Sequence, residues 1–193
     1  MTTARSVAAT AMLACAATLF SAYAAAQTTT WKSDPAHSEV DFTIRHMSIA
    51  NVHGRFGTVD ATVVSDPQDI TRSTVKAVIH MDGIDTGVAA RDNDLKSDHY
   101  FDVAHYPTAT FVSTSVTRGG SGLTITGNLT VKGITKPVTL DVTGPTGPIQ
   151  GMGHTLHEGF EATTTINRQI VSRGSGICPS DVLPVFTIAL IPI

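Results

Sequence analysis

Eight histidines are the residues of this 193-residue chain best suited to metal binding or proton transfer. The pair His154-x-x-His157, followed by Glu158, is the candidate metal site. It lies in a glycine-rich, loop-like stretch, however, where a spacing of three needs a helix or turn to bring both rings together. No cysteine or second carboxylate completes a zinc set. We therefore predict exposed loop histidines, no metal ion and no cofactor.

His46 shares its alternation phase with the apolar residues Val40, Phe42 and Ile44. If that strand is regular, the His46 ring faces the interior. A buried histidine in apolar surroundings either satisfies a neighbour's hydrogen bond or meets the polar end of a ligand. The sequence leaves both interpretations open.

Arg91 and Asp92 are adjacent charges in a segment with helical spacing. If buried they need partners, because an unpaired charge in an apolar cavity is strongly unfavourable. We favour a structural role, in which they pair with each other or tie the helix to the barrel through Asn167 and Arg168. The alternative is that Arg91 binds a phosphate or another polar head group, for which its planar guanidinium is suited.

Nucleophilic chemistry has little support in the sequence. Cys178 has no histidine or aspartate placed beside it by a local motif, and Gly174-Ser175-Gly176 lacks the spacing of a serine-hydrolase elbow. We therefore predict no catalytic residues and a protein that is not an enzyme. An enzyme acting on a lipid, through His46 or the Arg91/Asp92 pair, is the alternative.

Period-two alternation of apolar and polar residues predicts the elements that position these side chains. Short turns rich in glycine and proline, among them residues 144–148, separate the alternating segments, which favours antiparallel neighbours. We predict an all-β fold with about eight strands, including residues 40–44, 59–63, 75–81, 109–111, 123–131, 138–142, 160–166 and 186–190.

One stretch, residues 86–97, breaks the alternation and predicts a short helix with Thr86 as its N-cap. Eight antiparallel strands and one helix indicate a closed barrel with the helix across one mouth. A β-sandwich is the competing architecture. Gly57 and Gly127, inside strands, favour a barrel, where tight bends need glycine.

Residues 1–26 are predicted to be a secretory signal, with Arg5, an apolar core and a small-residue end at Ala24-Ala25-Ala26. Residues 27–193 then form one domain in the periplasm. Because no basic cluster is present, a nucleic-acid partner is not expected. The sequence leaves open a transient membrane contact and a homodimer.

Ordered segments of the chain resemble the YceI-like family. They are Asp34-Pro35-Ala36-His37-Ser38, Val52-His53-Gly54-Arg55-Phe56, Arg91-Asp92-Asn93-Asp94-Leu95-Lys96-Ser97, Tyr106-Pro107-Thr108-Ala109-Thr110-Phe111, and Gly127 to Val138. The resemblance covers roughly residues 31 to 168. It implies an extended lipocalin-like barrel, export to the periplasm, and binding of a polyisoprenoid or a similar long-chain amphiphile such as a fatty-acid-like lipid.

Two departures from the family pattern stand out. Asn128 occupies a position where the family tends to have an acid, and the pattern fails after Arg168. Pro184 marks an edge or bulge, since it cannot donate to a ladder. In a lipocalin-like barrel the core and the cavity lining are one surface, so the predicted ligand-binding set is Phe42, Ile44, His46, Phe56, Ile79, Arg91, Asp92, Leu95, Phe101, Phe111, Leu129, Phe160 and Arg168.

Overall fold

The computed structural model describes residues 27–47, 49–120, 122–167 and 181–192. These residues form eleven strands, one α-helix and two short 3-10 helices, at Ile70–Arg72 and Met152–His154. The helix α1 is Ala89–Lys96. The strands are β1 (Thr29–Ser33), β2 (Glu39–His46), β3 (Ala50–Arg55), β4 (Val59–Ser65), β5 (Thr74–His80), β6 (Thr108–Gly119), β7 (Gly122–Val131), β8 (Ile134–Gln150), β9 (Leu156–Thr163), β10 (Ile166–Asn167) and β11 (Asp181–Pro192).

All strand pairings are antiparallel, and their ladders form a closed circuit. The circuit runs β1-β4-β5-β6-β7-β8-β9-β11 and returns to β1. Strands β1 and β2 lie along the same edge of β11, with Ser33 opposite Leu190 and Glu39 opposite Thr187. They therefore act as one bent strand, and the circuit has eight positions. Eight positions give an interior just wide enough for side chains or one thin ligand.

The all-β antiparallel barrel with one helix is confirmed, but its strand count differs from the prediction. Strands β1 and β3 were missed because each presents few apolar residues; β3, for example, reads ANVHGR. The Gly-Pro-rich residues 144–148, predicted to be a break, lie within β8. There the ladder to β9 shifts register after Thr143 and again after Thr146, so the turn-forming residues produce bulges rather than a chain reversal.

The predicted helix is present, but it starts two residues later than expected. Its N-cap is Val88, which makes no side-chain capping bond, and Thr86 is not a cap. The helix has no fully buried residue. No helix in the described part of the chain is long and apolar enough to span a bilayer.

Pro184 lies where one ladder of β11 is interrupted. Val182 pairs with Ile166 of β10, whereas pairing with β9 begins at Val185. On the other edge of the strand, Pro184 lies opposite Phe42 of β2. A residue without an N–H is tolerated at such a gap.

The core lies inside the barrel because the strands alternate. In β7, the positions Leu123, Ile125, Gly127, Leu129 and Val131 are all buried, and the residues between them are partly or fully exposed. Gly127 makes room for a neighbour, since a Cβ there would lie 2.4 Å from Cζ of Phe111. The phenyl ring of Phe111 thus occupies the space that a larger residue would take.

Candidate functional site: an apolar cavity along the barrel

The two ends of the barrel differ. The helix end carries α1 and the residues Phe42, Phe56 and Phe101. The turn end carries the 3-10 helix Ile70–Arg72 and the turn between β6 and β7. The strands run between these ends, so that β4 starts at the helix end with Val59 and finishes at the turn end with Ser65.

A cavity of about 80 Å³ lies inside the barrel. Its lining reaches from Val59 and Ile79 near the helix end to Ile70 and Leu123 at the turn end. Among the described lining residues the only polar ones are Ser65, Ser73 and Thr164. The others are Val40, Val59, Ala61, Val63, Ile70, Val75, Ala77, Ile79, Phe111, Val116, Leu123, Ile125, Leu129, Val138, Leu140, Val142, Phe160, Ala162 and Ile166.

The shape and size of this cavity limit what it can hold. A water molecule needs roughly 10–15 Å³ of such space, so about 80 Å³ corresponds to a few waters. Typical small-molecule pockets are larger, on the order of 300–1,000 Å³. A bulky ligand does not fit this interior. A thin aliphatic chain matches its apolar wall, although a long chain requires wall side chains to move apart.

Four of the predicted ligand-binding residues line this cavity: Ile79, Phe111, Leu129 and Phe160. Sequence reasoning missed most of the valine and alanine wall, including Val59, Ala61 and Ala77. Their alternation phase was visible in the sequence. They were left out because the prediction favoured large side chains, whereas small side chains leave the space.

Phe42, Phe56 and Phe101 form a cluster at the helix end instead of lining the cavity. The ring centroids of Phe42 and Phe56 are 4.9 Å apart. Phe101 meets Phe56 edge-on at 5.7 Å. Leu95 of α1 packs against the core nearby. These apolar contacts hold the helix segment, residues 86–103, against the end of the barrel, since aromatic pairs are favourable at these distances.

Arg91 and Asp92 both form hydrogen bonds with Thr86 instead of pairing with each other. Arg91 donates from Nε to Thr86 Oγ1 at 2.7 Å and from Nη2 to the Thr86 carbonyl at 2.9 Å. The Asp92 carboxylate accepts from the Thr86 backbone N–H at 2.9 Å and from its hydroxyl at 2.5 Å. Both charged groups therefore hold the segment before α1 against the helix, and neither lines the cavity.

His46 and Ile44 lie towards the outside of the barrel. His46 is exposed and Ile44 is only half-buried. The expectation that the His46 ring faces the interior is wrong, because β2 continues past the barrel body as a hairpin with β3. Arg168 lies outside the described residues, as do the predicted signal segment, residues 1–26, and Cys178.

His154 and His157 contact different neighbours. Nδ1 of His154 lies 3.1 Å from the Gln150 side-chain nitrogen, while a Cβ on Gly151 would lie 2.6 Å from Nε2 of His157. Within the described ranges, no three histidine, cysteine or acidic side chains are close enough to hold a metal ion. Burial raises the pKa of Glu158, which is consistent with a half-buried carboxyl that has no strong charged partner.

Two Asp-x-x-His turns, at Asp34 and at Asp102, are each closed by a side-chain hydrogen bond. Asp34 accepts from His37 at 2.6 Å, and Asp102 accepts from His105 at 2.7 Å. The hydrogen bond from His37 holds the pKa of Asp34 below its usual value. The hydrogen bond to Asp102 raises the pKa of His105.

Comparisons with known proteins agree with this fold. The model of the YceI-like domain matches residues 31–170. Protein YceI of Salmonella newport is 43% identical over 105 residues, which is 54% of this chain and 55% of that protein. The chain thus spans about half the length of the curated relatives it matches.

Solved structures give the same result. BcnA of Burkholderia cenocepacia is 25% identical, with a TM-score of 0.68 over 81% of this chain and 98% of the other. A polyisoprenoid binding domain from Saccharophagus degradans is 15% identical, with a TM-score of 0.60 over 86% of this chain and 100% of the other. Because the family model matches well over half of the chain, this protein belongs to the YceI-like family.

Proposed function

We propose that this protein binds a long-chain apolar lipid, such as a polyisoprenoid, inside its barrel and acts as a carrier in the periplasm. The observation that carries the proposal is the apolar cavity that extends from the helix end to the turn end. The polyisoprenoid binding domain from Saccharophagus degradans, which has a similar fold, supports this ligand class.

The chemistry of the cavity fits a saturated or isoprenoid chain. Burying a CH₂ group is worth roughly 0.8 kcal/mol, so a chain of several isoprene units binds without any specific polar partner. The scarcity of polar groups in the lining also favours return of the ligand chemically unchanged. The predicted signal over residues 1–26 supports the periplasmic location, and a transient membrane contact would allow the lipid to be exchanged.

Native mass spectrometry of the purified protein, with extraction and identification of any bound lipid, tests this function. We expect an adduct whose mass matches a polyprenyl or fatty-acyl lipid. An empty barrel that also fails to take up added polyprenyl phosphates and fatty amides would contradict the proposal.

The small cavity volume favours one alternative, a stress-related interaction protein whose barrel is essentially filled. The two functions differ in a simple measurement. A carrier gains thermal stability when a lipid is added, because a ligand that binds only the folded state stabilises it. A filled barrel gains none at any lipid concentration.

A further inference from the structure

The turn joining β2 and β3 carries two exposed apolar side chains. Met47 is 66% exposed and Ile49 is 76% exposed. Single exposed apolar residues are common on protein surfaces, but here two large ones lie at one hairpin tip. The tip extends beyond the barrel, since β3 pairs with no other strand of the described chain than β2.

The outer part of the same hairpin has a positive charge bias within an acidic protein. Residues 43–55 contain two arginines and two histidines and no aspartate or glutamate, whereas the full chain has a net charge of −3. Arg55 is balanced by Asp85, whose carboxylate oxygen is 3.5 Å away. Arg45 donates instead to the neutral side chain of Asn51 at 3.3 Å, and no described carboxylate lies within ion-pair distance of it.

The base of the hairpin is joined to the segment that covers the helix end. Arg55 and Asp85 exchange two backbone hydrogen bonds, of 2.9 and 3.0 Å. A Cβ on Gly54 would lie 2.8 Å from the methyl group of Thr86, the residue that holds Arg91 and Asp92. A contact made by the hairpin tip is thus made beside the covered end of the cavity.

We propose that the β2–β3 hairpin docks this protein on an anionic bilayer, with Met47 and Ile49 entering the interfacial region and Arg45 contacting the lipid phosphates. An apolar tip flanked by cations fits such a surface, because apolar burial and attraction to anionic head groups act together. This inference rests on the proposed carrier function, because the hairpin would be the surface through which the carrier meets the membrane to exchange its lipid.

Cosedimentation with vesicles tests the docking surface. The purified protein is mixed with vesicles of phosphatidylglycerol and phosphatidylcholine, or of phosphatidylcholine alone. We expect the wild type to bind the anionic vesicles more strongly. The double variant Met47→Ser/Ile49→Ser should lose at least about fivefold in affinity, and Arg45→Gln should reduce only the preference for the anionic lipid.

The opposite end of the barrel supplies a matched control. The β8–β9 hairpin also exposes two apolar residues, Ile149 (65%) and Leu156 (43%), but it lies towards the turn end. The variant Ile149→Ser/Leu156→Ser should bind vesicles as the wild type does. Equal losses in both double variants would overturn the proposal, and so would unchanged binding in both.

Two further measurements test whether a loss of vesicle binding comes from misfolding or from a change in oligomeric state. Circular dichroism checks that each variant is folded, with Ile49→Ser alone as the milder replacement. Sedimentation velocity without lipid detects a change in oligomeric state; a shift confined to the Met47/Ile49 variant would assign the tip to a contact between copies and reject bilayer docking. If the protein binds vesicles but carries no lipid in its barrel, only the carrier function is contradicted. If it takes up lipid but does not bind vesicles, only the docking inference is contradicted.

Discussion

At the scale of single residues, Gly127 shows how a missing side chain shapes the barrel. A Cβ at this position would approach Cζ of Phe111 to 2.4 Å and the Val112 carbonyl oxygen to 2.6 Å. The second contact is with backbone, which cannot rotate away. The glycine therefore fixes both the ring of Phe111 and the spacing of β6 and β7.

Substitution Gly127→Ala should destabilise the protein by about 1–3 kcal/mol, the usual cost of overpacking a core. Urea unfolding followed by tryptophan fluorescence measures this change. The neighbouring substitution Asn128→Ala, on the exposed face of β7, should have a much smaller effect. Gly127→Ala/Phe111→Leu should recover part of the loss, and full stability of Gly127→Ala alone would refute the steric argument.

The Asp102–His105 hydrogen bond predicts a pH dependence with a definite sign. It raises the pKa of His105 above 6.5, so the stabilisation is present below the unfolded-state pKa and is lost as the pH rises through the higher folded-state pKa. Asp102→Asn should lower the His105 pKa towards 6.5, as followed by NMR of the ring protons from about pH 5 to about pH 8. An unchanged His105 pKa in this variant would exclude the bond as its cause.

At the scale of elements, residues 86–103 are held by the hydrogen bonds at Thr86, by the aromatic cluster, and by Lys132, which donates to the carbonyls of Asp98 and Tyr100 at 2.6 and 2.9 Å. Such a segment opens locally at a lower cost than the strands beneath it. The Thr86 hydroxyl, which both accepts from Arg91 and donates to Asp92, ties the start of this segment to α1.

Thr86→Val should therefore increase amide hydrogen exchange in residues 86–103 and leave the strands β5 to β7 nearly unchanged. Mass spectrometry of peptide fragments resolves these regions. Thr110→Val, which changes a threonine on a barrel strand, is the matched control. Uniform loss of protection throughout the barrel would mean that Thr86 supports the whole fold and does not act locally.

Arg91→Gln distinguishes the two roles considered for Arg91. If Arg91 only ties the segment to Thr86, the affinities for a polyprenyl phosphate and for the corresponding neutral polyprenol should fall by the same factor. A loss confined to the phosphate would assign a head-group contact to Arg91. Tryptophan quenching or isothermal calorimetry with both lipids gives the comparison.

The elements also show which features the sequence could predict. Alternation identified the long strands because their buried faces are strongly apolar, and the ordered motifs identified the family. Alternation did not identify β1, whose partners β4 and β11 lie far along the chain. It did not identify β3 either, because this strand pairs with the adjacent β2 but has few apolar residues. For His46, strict alternation failed where the strand leaves the barrel body. The cavity wall required knowledge of volume, which the order of residue types does not contain.

At the scale of the whole molecule, the wall of small side chains is the feature that leaves space inside the barrel. Ala77 lines the cavity on β5 and can be enlarged with little change to the outer surface. Ala77→Leu should reduce the lipid recovered with the protein several-fold, while costing at most about 1–3 kcal/mol in stability.

Ala36→Leu, the same change in an exposed turn, should leave the bound lipid unchanged. Native mass spectrometry compares the two variants with the wild type under identical extraction. If Ala77→Leu retains a full complement of lipid, the ligand does not occupy the interior at this level.

The closure of the circuit through β1 and β11 has a consequence for how the molecule forms. Residues 31–33 pair with residues 190–192, and β11 also provides the partner strand for β2, β9 and β10. These ladders have very high sequence separation, and chains dominated by such contacts fold slowly. The barrel cannot close until β11 has left the ribosome, so a growing chain stays open, and a ligand can be fully enclosed only after β11 has docked.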